Sequence, residues 1–248
     1  MFRRSAAVAV FLSVFYAVVG CGQSGGTGGS KEAKQKSKAL GDLEMVERLL
    51  IARRDLQRTL EQLRTYYINN GDVERASWTE EELRQYHRIL KHPFRMELIV
   101  PPPTLHASTN IPDANRLYTR AMAYKDKGGW NTNEYTDNQR RAELLLQQLL
   151  TLYPQSSKIG DSAYMLGDIY ESKANKMYRL AAVYFERCYQ WNPTTQLDAR
   201  LRAARLYDKM NLDRGKAIDI YRDATLHETD PARIEEAKKR LTEISGSR

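Results

Sequence analysis

Residues 161–193 carry the clearest pattern of apolar and polar positions in the chain. Apolar and small side chains recur there every three or four residues, the repeat of one helix face, in two runs separated by a polar turn. Gly167 lies in the first run, Ala181 lies in the second, and Pro193 follows where a proline ends a helix. The pattern therefore predicts two consecutive helices that approach each other closely at small residues.

Weaker copies of this pattern lie on both sides of the pair. The small–large–small spacing of its second helix recurs at offsets of 39 and 36 residues. Recurrence at nearly equal intervals is typical of repeat proteins, in which each helical unit packs on the next. The copies comprise Ala142, Leu146 and Leu149; then Ala181, Phe185 and Cys188; then Ala217, Tyr221 and Ala224. Because Cys188 occupies a small packing position, a buried and unreactive thiol is predicted.

These residues resemble the tetratricopeptide repeat (TPR) family over residues 113–248. The resemblance implies an all-α fold, with a short TPR solenoid of about three repeats closed by a capping helix. Residues 153–167 are similar to the variant found in exported bacterial proteins. Two of these are the cell-division coordinator of the Tol–Pal system and the TPR lipoprotein of the outer-membrane β-barrel assembly machine.

The resemblance also implies a partner-binding groove, because TPR proteins line such a groove with the first helix of each repeat. Its expected ligand is an extended or helical peptide. Carried over position by position, the groove consists of Tyr118, Met122, Lys125, Tyr164, Asp168, Glu171, Leu201, Arg205 and Asp208. The alternative, that these residues form only a solvated face, stays open.

A loop predicted at residues 126–138 is a second candidate surface. It carries Trp130 and Tyr135 and separates the helices of the first repeat. Aromatic side chains on an inserted loop serve either as interface anchors or as a cover over the nearest helix. Both interpretations stay open.

Residues 41–92 predict a helical hairpin that precedes the repeats. The second helix is expected to start near Thr79, whose spacing to Glu82 fits a capping box, and to stop before Pro93. The first helix has apolar residues at heptad-like spacing, and Arg53 interrupts the series. The apolar positions are Val46, Leu49, Leu56, Leu60, Leu63 and Tyr67. Either the hairpin packs on itself or on the repeats, or the helix at 43–68 mediates self-association. Residues 93–112, with three consecutive prolines, predict a linker that drapes across the repeats.

The first forty residues are predicted to target the protein to its cell compartment and to attach it there. Residues 1–20 have a basic start and an apolar run too short to span a membrane with confidence, which is typical of a signal peptide. Val18-Val19-Gly20-Cys21 resembles the bacterial lipobox, which implies lipidation of Cys21 and a flexible tether over 21–40. An ordinary signal peptide is the alternative. By resemblance, Gly22 favours the outer membrane, facing the periplasm, over the outer leaflet of the cytoplasmic membrane.

Composition and motifs narrow the function. A charged fraction of 28% and a mean hydropathy of −0.64 indicate that the chain after the predicted signal peptide is polar. The net charge of +8 is a mild excess, and the export signal disfavours a nucleic-acid partner. No catalytic motif and no metal-ligand spacing occurs, so the sequence predicts no enzyme, no metal and no cofactor.

The predicted function is therefore a non-catalytic, lipid-anchored scaffold for protein–protein interactions in the bacterial cell envelope, in β-barrel assembly. A role of the Tol–Pal type in cell division and envelope integrity is the alternative. An accessory subunit of an envelope enzyme is a remote third.

Overall fold

The computed structural model describes residues 30–127 and 132–246, and it confirms the all-α prediction for them. No β-strand lies in these two ranges. The helices are α1 (Ser30–Asn69), α2 (Val73–Arg88), α3 (Pro112–Lys127), α4 (Thr132–Leu152), α5 (Ile159–Glu171), α6 (Tyr178–Trp191), α7 (Ala199–Lys209), α8 (Arg214–His227) and α9 (Pro231–Gly246), with one 3-10 turn at Met96–Leu98. The chain divides into two units between Asp42 and Leu43, and the contacts described here lie in the second.

Two helices begin earlier than predicted. Helix α1 starts at Ser30, so the part of the expected tether from residue 30 onwards is helical. Lysine, glutamate, glutamine and alanine make up most of residues 31–39 and have high helix propensity, which the tether prediction neglected. Helix α2 starts at Val73, because the side chain of Asp72 accepts a hydrogen bond from the backbone N–H of Arg75 at 3.0 Å and caps it. The start predicted at Thr79 is wrong, since its hydroxyl instead donates to the Arg75 carbonyl inside the helix.

The loop predicted at residues 126–138 is also wrong over most of its length. Helix α3 continues to Lys127 and α4 begins at Thr132, so Tyr135 lies on a helix. The polar composition of residues 133–138 favoured the loop prediction. Asparagine and aspartate are, however, well accommodated near the start of a helix. Trp130 lies outside the described residues.

Helices α3 to α9 form a row in which each helix packs on its neighbours along the chain. The pairs are α3 with α4, α5 with α6, and α7 with α8, and α9 packs on α8. Leu146, Ile159, Leu166 and Phe185 are completely buried between them. Cys188 is buried as predicted, and burial raises the pKa of its thiol to about 12, so little thiolate forms at neutral pH.

The proline-rich segment lies across α6. The Pro101 carbonyl accepts a hydrogen bond from Nε of Arg187 at 2.8 Å, and the Pro102 carbonyl accepts one from Nε1 of Trp191 at 2.9 Å. Prolines lack N–H donors but keep their carbonyls, so this segment attaches through acceptors. Farther along, the Ala107 N–H donates to the Trp191 carbonyl at 2.9 Å.

Helices α1 and α2 attach to the row through α4. Both guanidinium contacts from Arg88 to the Asp137 carboxylate measure 2.8 Å. Within the hairpin, Nε of Arg64 lies 2.8 Å from Oε1 of Glu80, and the Tyr86 hydroxyl donates to the Arg53 carbonyl at 2.9 Å. The hairpin thus contacts the helical row through the Arg88–Asp137 pair.

Candidate functional site

The predicted groove residues are distributed over α3, α5 and α7, three per helix at spacings of three or four. Such spacing places the three side chains on one face of each helix. Nζ of Lys125 on α3 lies 2.7 Å from Oδ2 of Asp168 on α5, so these first helices of neighbouring pairs lie side by side. We call the surface formed by Tyr118, Met122, Lys125, Tyr164, Asp168, Glu171, Arg205 and Asp208 the first-helix face.

Arg202 of α7 joins the first-helix face and was not predicted. Its guanidinium lies 2.8 Å from Oδ1 of Asp168, contacts Glu171 through Nε at 3.1 Å, and stacks 4.3 Å from the Phe185 ring centroid. Its hydrogen bond to the Tyr164 hydroxyl is longer, at 3.3 Å. The only sequence signal for it is a basic residue one position past a groove position, on the helix next to two carboxylates.

The face continues from α7 to α9. Nε of Arg205 lies 2.6 Å from Oε1 of Glu236, and Asp208 pairs with Arg240, so two of the three predicted residues of α7 contact α9. The Tyr164 hydroxyl donates to Oδ1 of Asp198 at 2.6 Å. A continuous ladder of charged and phenolic contacts therefore runs along the first helices.

These contacts determine the charge of the first-helix face. Burial alone raises the pKa of Asp168, but the hydrogen bonds and charges of Lys125 and Arg202 outweigh it and hold that pKa below its usual value. Glu171 is paired with the same Arg202. The two carboxylates that α5 contributes to the face are thus largely neutralised by Lys125 and Arg202.

Leu201 is not part of the binding surface. Its side chain is completely buried, so its assignment to the groove is wrong. Helix α7 begins at Ala199, and in its first turn an apolar side chain gains more from burial in the core than from exposure.

The α3 end of the first-helix face carries the side chains that are least engaged in hydrogen bonds and ion pairs. Tyr118 and Met122 are half-buried, and the described residues provide no hydrogen-bond partner for the Tyr118 hydroxyl. Burial raises the pKa of Tyr118 to about 12, and Nζ of Lys158 lies 5.2 Å from its ring centroid. An aromatic ring, a thioether and an unbonded hydroxyl together suit a peptide side chain with apolar and polar parts.

A separate cleft of about 220 Å³ lies where α1, α2 and α4 meet, and sequence reasoning missed it. Lys91 lines it, donates to the Tyr86 carbonyl at 2.8 Å and lies 4.1 Å from the Tyr86 ring centroid. Burial lowers the pKa of Lys91 to about 8. The cleft is lined by residues of α1, α2, α4, α5 and α6 and of the segment that follows α2, so no local sequence pattern predicts it.

Within the described residues, no group of three histidine, cysteine or acidic side chains is placed to hold a metal ion. Across residues 30–127 and 132–246, no helix combines the length and the apolar character needed to cross a membrane. The predicted signal peptide, the predicted lipidation site Cys21 and the part of the predicted tether before residue 30 lie outside this part of the chain. Comparison with models of known protein families, with curated proteins and with solved structures yields no match to this chain.

Proposed function

We propose that this protein is a non-catalytic, lipid-anchored TPR scaffold that binds segments of other proteins in the bacterial cell envelope. The supporting observation is the link from Lys125 through Asp168 to Arg202, which aligns the first helices of three successive pairs. Rows of first helices provide the long surfaces with which helical repeats bind extended or helical peptides. The buried small residues of each pair support the TPR assignment.

The ligand class follows from the first-helix face. Because its carboxylates and guanidiniums already pair with each other, a peptide carrying one type of charge would have to break existing ion pairs. Tyr118 and Met122 offer apolar contact without that loss. The proposed ligand is therefore a segment with an apolar or aromatic anchor near the α3 end and polar groups along the rest.

The anchor is proposed from the lipobox-like residues that end at Cys21. Two or three acyl chains on that cysteine would hold the protein durably, since each buried methylene contributes about 0.8 kcal/mol. The outer membrane is the proposed location, and the outer leaflet of the cytoplasmic membrane is the alternative.

Two envelope pathways fit this scaffold. Barrel assembly is the first proposal, because its TPR lipoprotein shares the lipobox. A coordinator role of the Tol–Pal type is the second, and the helices α1 and α2 that precede the three helical pairs favour it. An accessory subunit of an envelope enzyme is not favoured by any contact in the described residues.

Site-specific photocrosslinking in intact cells tests the proposal. A photoreactive amino acid at Met122 is expected to capture one envelope protein, at adjacent residues of a single segment. The same amino acid at Gln148, which is exposed on α4, serves as the matched control and is expected to capture none. Capture of barrel-assembly proteins supports the first pathway, and capture of Tol–Pal or peptidoglycan-binding proteins supports the second. Equal yields at the two positions would rule out the first-helix face as the binding surface.

A further inference from the structure

Helix α1 carries a regular stripe of exposed residues on its outer side. The seven positions alternate in spacing between four and three residues, and every one of them is exposed. Met45 is 65% exposed, Leu56 is 50% exposed and Tyr66 is 62% exposed. We call this set the outer stripe: Met45, Leu49, Ala52, Leu56, Thr59, Leu63 and Tyr66.

The heptad predicted from the sequence is in fact two stripes. Val46 and Leu60 are buried and Arg53 and Tyr67 are half-buried, and these four positions make up an inner stripe on one face of α1. Three of the four leucines of the predicted set, Leu49, Leu56 and Leu63, lie in the outer stripe instead. Since neighbouring residues point about 100° apart on a helix, the protein covers the inner stripe while the outer stripe stays in solvent.

We propose that a second copy of this chain covers the outer stripe in a parallel, two-stranded coiled coil. Leu49, Leu56 and Leu63 occupy one of the two core positions of the heptad, and the other core position holds Met45, Ala52, Thr59 and Tyr66. Identical copies in register place leucine against leucine in three successive heptads. Contiguous exposed apolar surface of this regularity is typical of an interaction site.

The inner stripe decides the orientation. Its four residues occupy the heptad position that flanks the core on the side of each copy's own body. In a parallel coil, the inner stripe of one helix lies beside the opposite core-flanking position of the partner helix. The bodies of the two copies then lie on opposite sides of the coiled coil. In an antiparallel coil the two flanks face each other and the bodies collide. The opposite flank contains Arg48, Asp55 and Gln62, all exposed.

The size of the outer stripe limits the affinity. It runs along 22 residues of α1, from Met45 to Tyr66. This segment is about 33 Å long and a helix is about 10–12 Å wide with its side chains, which gives a footprint of roughly 350 Å² per copy. A stable interface of standard size buries about 800 Å² per partner. The dimer is therefore weak and dissociates on dilution. This inference does not depend on the ligand of the first-helix face.

Sedimentation equilibrium of the full chain at increasing concentration tests the dimer. The mean mass is expected to rise from 28.6 kDa towards twice that value. Leu56→Lys is expected to need a concentration about tenfold or more higher to reach the same mean mass. Ile51→Lys is the matched control, because Ile51 is 48% exposed on the same helix but lies off the outer stripe. A natural chain that stays at 28.6 kDa throughout, or equal effects of the two substitutions, overturns the inference.

Disulfide trapping tests the parallel register. Met45→Cys is expected to form a bond between two copies at position 45 under mild oxidation, located by peptide mass mapping. Glu47→Cys, on the opposite side of α1, is expected to form none. A bond that appears only when Met45→Cys is mixed with Leu63→Cys would establish the antiparallel arrangement and contradict the proposal. Circular dichroism of each variant verifies that the helices remain folded.

Discussion

A Cβ atom at position 167 would lie 2.7 Å from Cε1 of Phe185, so only glycine fits between α5 and α6 at this point. Phe185 is completely buried, and its ring meets that of Tyr164 edge-on at 5.4 Å between centroids. The Arg202 guanidinium lies over the same ring. One glycine contact thus connects the packing of the central helical pair to the first-helix face.

Gly167→Ala is expected to destabilise the protein by about 1–3 kcal/mol, because the added methyl group forces the Phe185 ring or the α5 backbone to move. Gly215→Ala is the matched control on α8, since its Cβ would meet only Oδ1 of Asp213 at 3.5 Å. There the gain in helix propensity is expected to stabilise the protein by up to about 1 kcal/mol. Urea unfolding measures both changes, and effects of the same sign would contradict the packing described here.

Arg202→Leu is expected to lower the free energy of unfolding by about 1–3 kcal/mol, because it leaves half-buried Asp168 and Glu171 without their shared partner. Arg222→Leu removes an exposed pair with Asp219 and is expected to change it by less than about 1 kcal/mol. Thermal unfolding of the two variants under matched salt compares them. A similar loss in both would show that the ladder adds no more than a surface ion pair.

Lys91 is expected to make stability depend on pH in the alkaline range. Its pKa is about 8 in the folded chain and 10.5 without the protein environment, so between these values the unfolded state binds more protons. The free energy of unfolding contributed by this residue therefore rises from about pH 8 to pH 10.5.

Lys91→Met is expected to lack that rise and to be more stable than the natural chain at pH 7. With the half-buried position discounted for solvent screening, the gain is on the order of 1–2 kcal/mol. Lys173→Met, at an exposed position, is the control, with an expected change within about 0.5 kcal/mol. Denaturant titrations at several pH values measure the difference. An unchanged pH profile in Lys91→Met would exclude the effect.

Cys21→Ser is expected to abolish lipid attachment and release the protein from the membrane fraction. The physical reason is the loss of the sulfur that would carry the acyl chains. Labelling with a radioactive fatty acid, followed by fractionation of the cells, measures both properties. Labelling that persists in Cys21→Ser, or membrane association that does not change, would contradict the anchor.

Local periodicity was enough to predict the helical row. Small residues such as Gly167 and Ala181 recur at repeat spacing, and close helix packing requires them there. Helix boundaries were less predictable, because a single side chain decided one of them: the Asp72 cap starts α2 six residues before Thr79. The start of α1 depended on helix propensity rather than on apolar pattern.

The candidate site was predictable in position but not in contacts. Transfer of positions from a repeat family placed Lys125 and Asp168 on facing helices, where they pair. The transfer misplaced Leu201 and omitted its neighbour Arg202. The two side chains point about 100° apart on α7, so a small rotation of the helix decides which of them enters the core. The two stripes of α1 were merged for the same reason, since they lie one residue apart.

The central claim is that the first-helix face binds a protein segment, and an affinity measurement tests it most directly. The segment captured from Met122 is synthesised as a peptide and titrated calorimetrically into the natural chain, Tyr118→Ala and Gln148→Ala. Loss of an aromatic anchor is expected to weaken binding about tenfold in Tyr118→Ala, roughly 1.4 kcal/mol, with no change in Gln148→Ala. Equal affinity for all three folded chains would contradict the claim.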